Sequence, residues 1–214
     1  LKGLVTPANA PFHPLDPNFA AKLHFYSYDQ KRARKILSSA RWQIQKDGIR
    51  SKDGRRLSID FIASNSPTRR KIVRFLTESW RQIGVELKPV FYNSSQELSK
   101  RLRRANFSGM IMYSWRMEVD YPLAFLFHSR SIPSVYNQYQ GENTTRWVNI
   151  SIDKSTTELK RAYDFDLRRR LISVVAEEYT KELPFLPLFF RSSYAIAHDK
   201  LKGFFVAGHQ YPSS

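Results

Sequence analysis

The run Tyr113-Ser114-Trp115-Arg116-Met117-Glu118-Val119-Asp120-Tyr121-Pro122 gathers more chemistry than any other stretch of this 214-residue chain. An ionised aspartate on a site wall can hold an ammonium group, and tryptophan and tyrosine faces add an apolar surface that tolerates cations. The candidate binding residues are therefore Tyr113, Trp115, Arg116, Asp120 and Tyr121. A core tryptophan at a strand end and a turn-forming aspartate account for the same residues, and composition does not choose between the two readings.

No constellation nominates an enzyme. The chain has no G-x-S-x-G, no P-loop and no G-x-G-x-x-G. Its five histidines, His13, His24, His128, His198 and His209, are scattered. None pairs at metal-ligand spacing, so each reads as structural. The carboxylate groups Asp164/Asp166 and Glu177/Glu178 read as solvated helix surface. Cysteine is absent, which removes disulfides, thiolate metal sites and cysteine nucleophiles together. No cofactor and no metal is called for.

Charge is the second feature. The formal net charge is +16, and residues 22–104 hold 21 basic against 7 acidic residues, leaving +2 for the rest. Such an excess invites a polyanion: nucleic acid, an anionic membrane surface or an acidic ligand. The clusters are Lys31-Arg32-Ala33-Arg34-Lys35, Arg69-Arg70-Lys71, Lys100-Arg101-Leu102-Arg103-Arg104 and Arg168-Arg169-Arg170. Phosphate contacts would make binding steeply salt-dependent. Each cluster, however, falls on a different expected helix, interleaved with core positions and without stacking aromatics. They read as solvated outer faces, and nucleic acid is a disfavoured partner.

The elements that must position these residues follow from periodicity. Four of the 11 prolines lie at Pro7, Pro11, Pro14 and Pro17, so the start is an extended lead-in. Asp29 caps a helix whose apolar face is Ala33, Ile36, Leu37 and Ala40. Asp47-Gly48 and Asp53-Gly54 bracket a small hairpin. Leu57, Ile59, Phe61 and Ala63 alternate as a strand. Ser66-Pro67 starts a helix carrying Ile72, Leu76, Trp80 and Ile83, which Gly84 ends. Residues 85–92 form a second strand, irregular or at an edge because of Pro89. Ser94 and Glu97 make a capping box before Leu98 and Leu102. Residues 109–115 form a third strand.

Alternating strands and helices with short links imply a parallel βαβαβ sheet, whose ligands sit beyond the carboxyl ends of the strands. Tyr113 and Trp115 fall there. A short helix is expected at 123–127, an extended polar loop at 130–147, a helix capped by Asp153, and another through Leu167, Leu171, Val174 and Val175 ending before Pro184. One or two strands are expected within 185–197. Hydrophobic residues at 42% and aromatics at 14% suffice for a buried core. The longest apolar run, near 183–190, is broken by two prolines and falls short of the ~18 residues of a membrane span.

The order of motifs resembles the oligopeptide/dipeptide-type solute-binding proteins of ABC importers, family 5. Residues 28–42, from Tyr28-Asp29 to Arg41-Trp42, are similar to that family's Y-D-x-x-K-A-x-x-L-L-x-x-A-G-W helix, with Arg41 in place of the glycine. Asp53-Gly54-Arg55-Arg56-Leu57 resembles D-G-K-P-L, and Trp80-Arg81-Gln82-Ile83-Gly84-Val85-Glu86-Leu87 resembles L-x-x-I-G-I-x-V. Trp115 with Asp120-Tyr121-Pro122 is similar to G-W-x-x-D-Y-P-D-P, Glu182-Leu183-Pro184 to D-A-P-x-I-P-L, and Lys202-Gly203-Phe204 to V-K-G-F.

The resemblance implies an α/β fold, one periplasmic-binding-protein-like type II lobe of a two-lobed protein. It implies that a first lobe precedes Leu1. On this reading 1–27 is a hinge or lead-in segment, 28–197 the solute-binding lobe and 198–214 a return segment toward the first lobe. By resemblance Asp120 meets the α-amino group of a bound peptide and Trp115 walls the cleft. Here the Trp115-to-Asp120 gap is about two residues longer than the family's, Leu123-Ala124 replaces D-P, and Arg116 follows the tryptophan while Met112 precedes it. Peptide, sugar, metal chelate or another small solute all stay open.

The implied partners are that solute, an ABC permease in the membrane and the first lobe, with a periplasmic or extracellular location, surface-anchored forms included. Two other readings use the basic half: a solute-sensing domain of a cytoplasmic transcriptional regulator, and a basic nucleic-acid-binding module.

Overall fold

The structure is a computed structural model and describes residues 5–12, 23–115, 123–190, 197, 198 and 200–203. In chain order its elements are β1 (Thr6–Pro7), α1 (Gln30–Ser39), β2 (Gln43–Ile44), β3 (Arg50–Lys52), β4 (Arg55–Arg56), β5 (Ser58–Ser64), α2 (Pro67–Arg81) and β6 (Glu86–Tyr92). Then come α3 (Ser95–Arg104), β7 (Met110–Met112), α4 (Leu123–Phe127), a 3-10 turn at Ser129–Ser131, α5 (Ile150–Leu159), α6 (Phe165–Glu182) and β8 (Phe189–Phe190). The chain divides into two compact units, one built from Tyr26–Trp115 and Arg130–Arg146, the other from the remaining segments.

In the first unit the expected parallel sheet is present. Its strand order is β6-β5-β7, with Phe61 opposite Pro89 on one side and Met110 on the other. The alternating set Leu57, Ile59, Phe61 and Ala63 faces one core with Val73, Val85, Leu87 and Met112, against which Ile72, Leu76, Trp80 and Ile83 pack. Pro89 is tolerated because β6 is an edge strand of this sheet. Each helix start is capped as its sequence demands: Asp29 accepts from the Arg32 amide (2.8 Å), Ser66 from Arg69 (3.3 Å) and Ser94 from Glu97 (3.1 Å). Glu97 does not close the expected box; its carboxylate takes Arg101 one turn on (3.2 Å).

Three expectations are corrected here. The face of α1 is narrower than its spacing suggests, since Ile36 is 58% exposed and Leu37 is the residue of this helix packed on the core. The hairpin is a three-stranded antiparallel meander, β2-β3-β4. The third strand is shorter, ending at Met112. It begins after Gly109, whose φ of +86° and approach to Asp60 leave no room for a side chain: a Cβ would lie 2.2 Å from the Asp60 carbonyl oxygen.

Arg50 ties three of these pieces together. It is 5% exposed, yet among the described residues no carboxylate meets it. Its guanidinium donates to the Ile83 carbonyl (2.8 Å), the Trp42 carbonyl (2.6 Å) and the Ser38 hydroxyl (3.0 Å), with the Arg34 carbonyl at 3.4 Å. One buried cation thus satisfies carbonyls that the end of α1 and the turn after α2 leave open.

The second unit pairs β1 with β8, Thr6 opposite Phe190, and packs α4, α5 and α6 together. Phe127, Trp147, Tyr179 and Phe185 meet ring to ring at 5.9–6.5 Å. Tyr179 is buried, its hydroxyl donates to the Phe185 carbonyl (3.2 Å), and burial raises its phenol above the ordinary value. Asp153 does not cap α5. Asn149 does, accepting from the Ser151 and Ile152 amides, while Asp153 sits a turn later and takes the Ser129 amide and hydroxyl. Asp164, read above as surface, caps α6 through the Leu167 amide (2.7 Å). Among the described residues, the expected strand region 185–197 shows only Phe189–Phe190. No helix of the described residues is long and apolar enough to cross a membrane.

Candidate functional site

Parallel strands converge their carboxyl ends at one edge, and the residues just beyond them are the ones free to meet a ligand. At that edge β5 ends at Ser64, β6 at Tyr92 and β7 at Met112. Tyr113, Ser114 and Trp115 follow β7 directly. The rings of Tyr113 and Trp115 stand edge to face with centroids 5.0 Å apart. This T-shaped pairing fixes both without hiding them, as Trp115 is only half-buried. The Tyr113 hydroxyl lies 3.1 Å from the Thr144 hydroxyl.

Thr144 arrives on the irregular segment 130–146, which is more tightly packed than a polar loop needs to be. Asn143 is fully buried and Thr144 nearly so. Arg103 of α3 donates to the carbonyls of Tyr139 (3.3 Å) and Gly141 (3.0 Å) and pairs with Glu142. A Cβ on Gly141 would run into the Ser131 carbonyl, so this crossing admits only glycine. The expected loop is thus a built support that brings Thr144 to the aromatic pair.

Sequence reasoning missed Arg69. Its side chain crosses the same edge, donating to the Ser64 hydroxyl (2.7 Å) and lying 3.4 Å from the Ser114 hydroxyl and 3.5 Å from the Met112 carbonyl. The signal was its place three residues after the cap Ser66, since the first turn of a helix that follows a parallel strand overhangs the carboxyl edge. Beside it Asn65 bonds Asn93 (2.7 Å) and Arg70 (2.6 Å), joining the turns after β5 and β6. Nothing in the sequence pointed to Thr144. Of the five candidates, the structure brings Tyr113 and Trp115 together; Arg116, Asp120 and Tyr121 lie outside the described residues.

The basic clusters occupy four separate helices, α1, α2, α3 and α6. Several members are committed to internal partners: Arg69 as above, Arg101 to Glu97 and Arg103 to Glu142. Among the described residues, no group of three or more His, Asp or Glu side chains could hold a metal ion. His128 faces Asp153 (3.4 Å) and Thr157 (3.2 Å) and supports the packing of α5.

Comparison with known proteins bears on the family and the fold. A profile of the bacterial extracellular solute-binding proteins, family 5, middle region, matches residues 1–136. Among solved structures, the oligopeptide-binding protein of Thermus thermophilus complexed with a pentapeptide superposes with a TM-score of 0.79 at 26% identity, over 89% of this chain and 34% of that one. NikZ of Campylobacter jejuni, in complex with Ni(L-His), gives 0.70 at 26% identity over 87% and 36%. AppA of Bacillus subtilis, in complex with a nonapeptide, shares the fold, with a TM-score of 0.77 at 22% identity over 89% and 37%. The chain therefore spans about a third of the length of these structures, the extent of a single lobe. No curated protein sequence gives a significant match.

Proposed function

Because the chain belongs to the bacterial extracellular solute-binding proteins of family 5, we propose that it is one lobe of the substrate-binding component of an ABC importer for peptides or similar small solutes. The observation that carries this reading is the Tyr113–Trp115 ring pair just beyond β7, with Arg69 at Ser64 and Ser114 along the same carboxyl edge of the β6-β5-β7 sheet. Trp115 forms an apolar wall and Tyr113 holds it in place. Asp120 receives a solute amine, and Arg116 and Tyr121 line the same stretch. Arg69 braces the strand ends beneath this wall through Ser64 and Ser114. Two lobes close over the solute about a hinge, and the closed form is what the permease recognises. The protein is a binder, not an enzyme, and works in the periplasm or at the cell exterior.

A peptide is favoured over a metal chelate. An aromatic wall and a carboxylate suit an amine-bearing chain. The solved relatives span both classes, with a pentapeptide in one and Ni(L-His) in another.

The test is calorimetric titration of the complete two-lobed protein with a mixed pool of short peptides, then with single peptides drawn from it. Trp115→Ala and Asp120→Ala should each weaken binding about tenfold or more, the loss expected when an aromatic or ionic anchor is truncated. The isolated lobe should bind no tighter than about millimolar, having half a cleft. Unchanged affinity in both variants, or micromolar binding by the isolated lobe, would overturn the assignment.

A further inference from the structure

A hollow of about 360 Å³ runs along α3 against residues 138–140. Lys100 and Arg104 border it one helical turn apart, so their Cβ atoms stand about 5–6 Å from each other and both cations can reach one anion. Neither has an acidic partner among the described residues. The carboxylates of Glu97 and Glu142 on the flanking segments are already taken, by Arg101 and Arg103. The Arg104 guanidinium lies over the Tyr139 ring at 5.0 Å, which holds its plane while leaving its edge donors to other partners.

The opposite wall is held rather than loose. Gln138 and Tyr139 both have positive φ (54° and 58°), an unfavourable state for two successive side-chain-bearing residues. Arg103, bonded to the Tyr139 and Gly141 carbonyls, fixes that segment to α3. Gln96, Ser99, Gln138 and Gln140 complete the lining with neutral donors and acceptors.

We infer that this hollow is a second binding site, which takes a phosphoryl group carried on a small hydroxylated body such as a polyol or sugar. Two cations and four neutral polar groups offer more donors than the two oxygens of a carboxylate can accept, whereas a phosphoryl group presents three. The amide and hydroxyl acceptors then serve hydroxyl groups, and the volume lies near the lower end for small-molecule sites. Its cations, unlike Gln96 at the start of α3, stand away from the aromatic pair. α3 runs back from the carboxyl edge, so Arg104, just before β7, lies toward the opposite edge from Trp115. The inference therefore does not depend on the proposed solute cleft. The same chemistry is offered by a free polyol phosphate and by a repeating unit of a polyol-phosphate polymer.

The test is an NMR titration of the chain with glycerol 1-phosphate, inorganic sulfate and a glycerol-phosphate oligomer, following backbone and glutamine amides. Saturable shifts confined to 96–104 and 138–140 are expected from glycerol 1-phosphate. Lys100→Gln and Arg104→Gln should each weaken binding about tenfold, as losing one charge-assisted contact does, while Arg101→Gln changes it less than about twofold. An oligomer that binds more tightly per unit than the monomer identifies a polymer as the source, and equal affinity identifies the free ester. Shifts spread equally over the basic side chains of α1 and α2, equal binding of sulfate, or equal harm from Arg101→Gln would mean adventitious ion binding only and overturn the site.

Discussion

Replacing Arg50 by leucine should destabilise the sheet-bearing unit by about 3–4 kcal/mol. Three of the guanidinium's hydrogen bonds are of good length, at 2.6, 2.8 and 3.0 Å, and the one at 3.4 Å counts for little. Charge-assisted bonds contribute roughly 1.5–3 kcal/mol each, which sets an upper figure near 5–9 kcal/mol. Against this, removing a buried cation recovers part of its desolvation cost, several kcal/mol for an ion without a counter-charge. What leucine leaves behind are the carbonyls of Ile83 and Trp42, unpaired and shielded, at about 1–3 kcal/mol apiece. Arg50→Lys should fall between, because a point ammonium cannot span the fork that reaches Ile83 on one side and Ser38 with Trp42 on the other. Urea unfolding followed by tryptophan fluorescence is a suitable assay, as Trp42 and Trp80 flank the guanidinium's partners. With a slope near 2 kcal/mol/M, the midpoint should drop by about 1.5–2 M for leucine. A loss below about 1 kcal/mol for leucine, or a lysine variant as stable as the parent, would refute the claim that Arg50 is the shared partner of these carbonyls.

Gly109→Ala should cost about 2–5 kcal/mol, from positive φ plus a Cβ driven against the Asp60 backbone, with amide-exchange protection lost first at residues 61–63. Gly54→Ala, with similar φ but open space around it, should cost only about 1 kcal/mol, and equal losses would remove the steric argument. Stability should also fall in acid. Arg56, which donates to both Glu86 carboxylate oxygens, holds that carboxyl below its ordinary 4.5, so the ionised form is favoured by folding. Its contribution is complete above the unfolded value and disappears as pH drops below 4.5 through the folded one. A urea midpoint of Glu86→Gln that tracks the parent at every pH would contradict this.

Much of the fold was legible because its signals are local. Asp29, Ser66 and Ser94 each bond an amide three residues on, so the cap and its target share one short window of sequence. The strand 57–63 declares its face by a period of two. What was hidden depends on partners far along the chain. Arg50 sits in a basic stretch and looks like its exposed neighbours until Ile83 and Trp42 close over it. Asn149 and Asp153 are both capping types four residues apart, and Ser129, 24 residues away from Asp153, decides between them. Ile36 keeps helical spacing yet is exposed, because α1 meets the core through Leu37. At the candidate site, Tyr113 and Trp115 were legible as aromatics ending a strand. Arg69 was obscured by the cluster around it, and Thr144 by lying in a segment without periodicity.

The pairing of Thr6–Pro7 with Phe189–Phe190 also sets an order in time. During synthesis the strands β5, β6 and β7 are all free of the ribosome once residue 112 has cleared its exit tunnel, and that parallel sheet can then close. The strand at residues 6–7 is made before any of them, but its partner follows about 80 residues after the sheet is complete, roughly 4–16 s later at ordinary elongation rates. Of the described strands, the one at residues 6–7 is made first and paired late, so it spends that interval open to other contacts. A nascent chain stalled when residue 112 has just cleared the exit tunnel should display a closed sheet and an unpaired strand at residues 6–7.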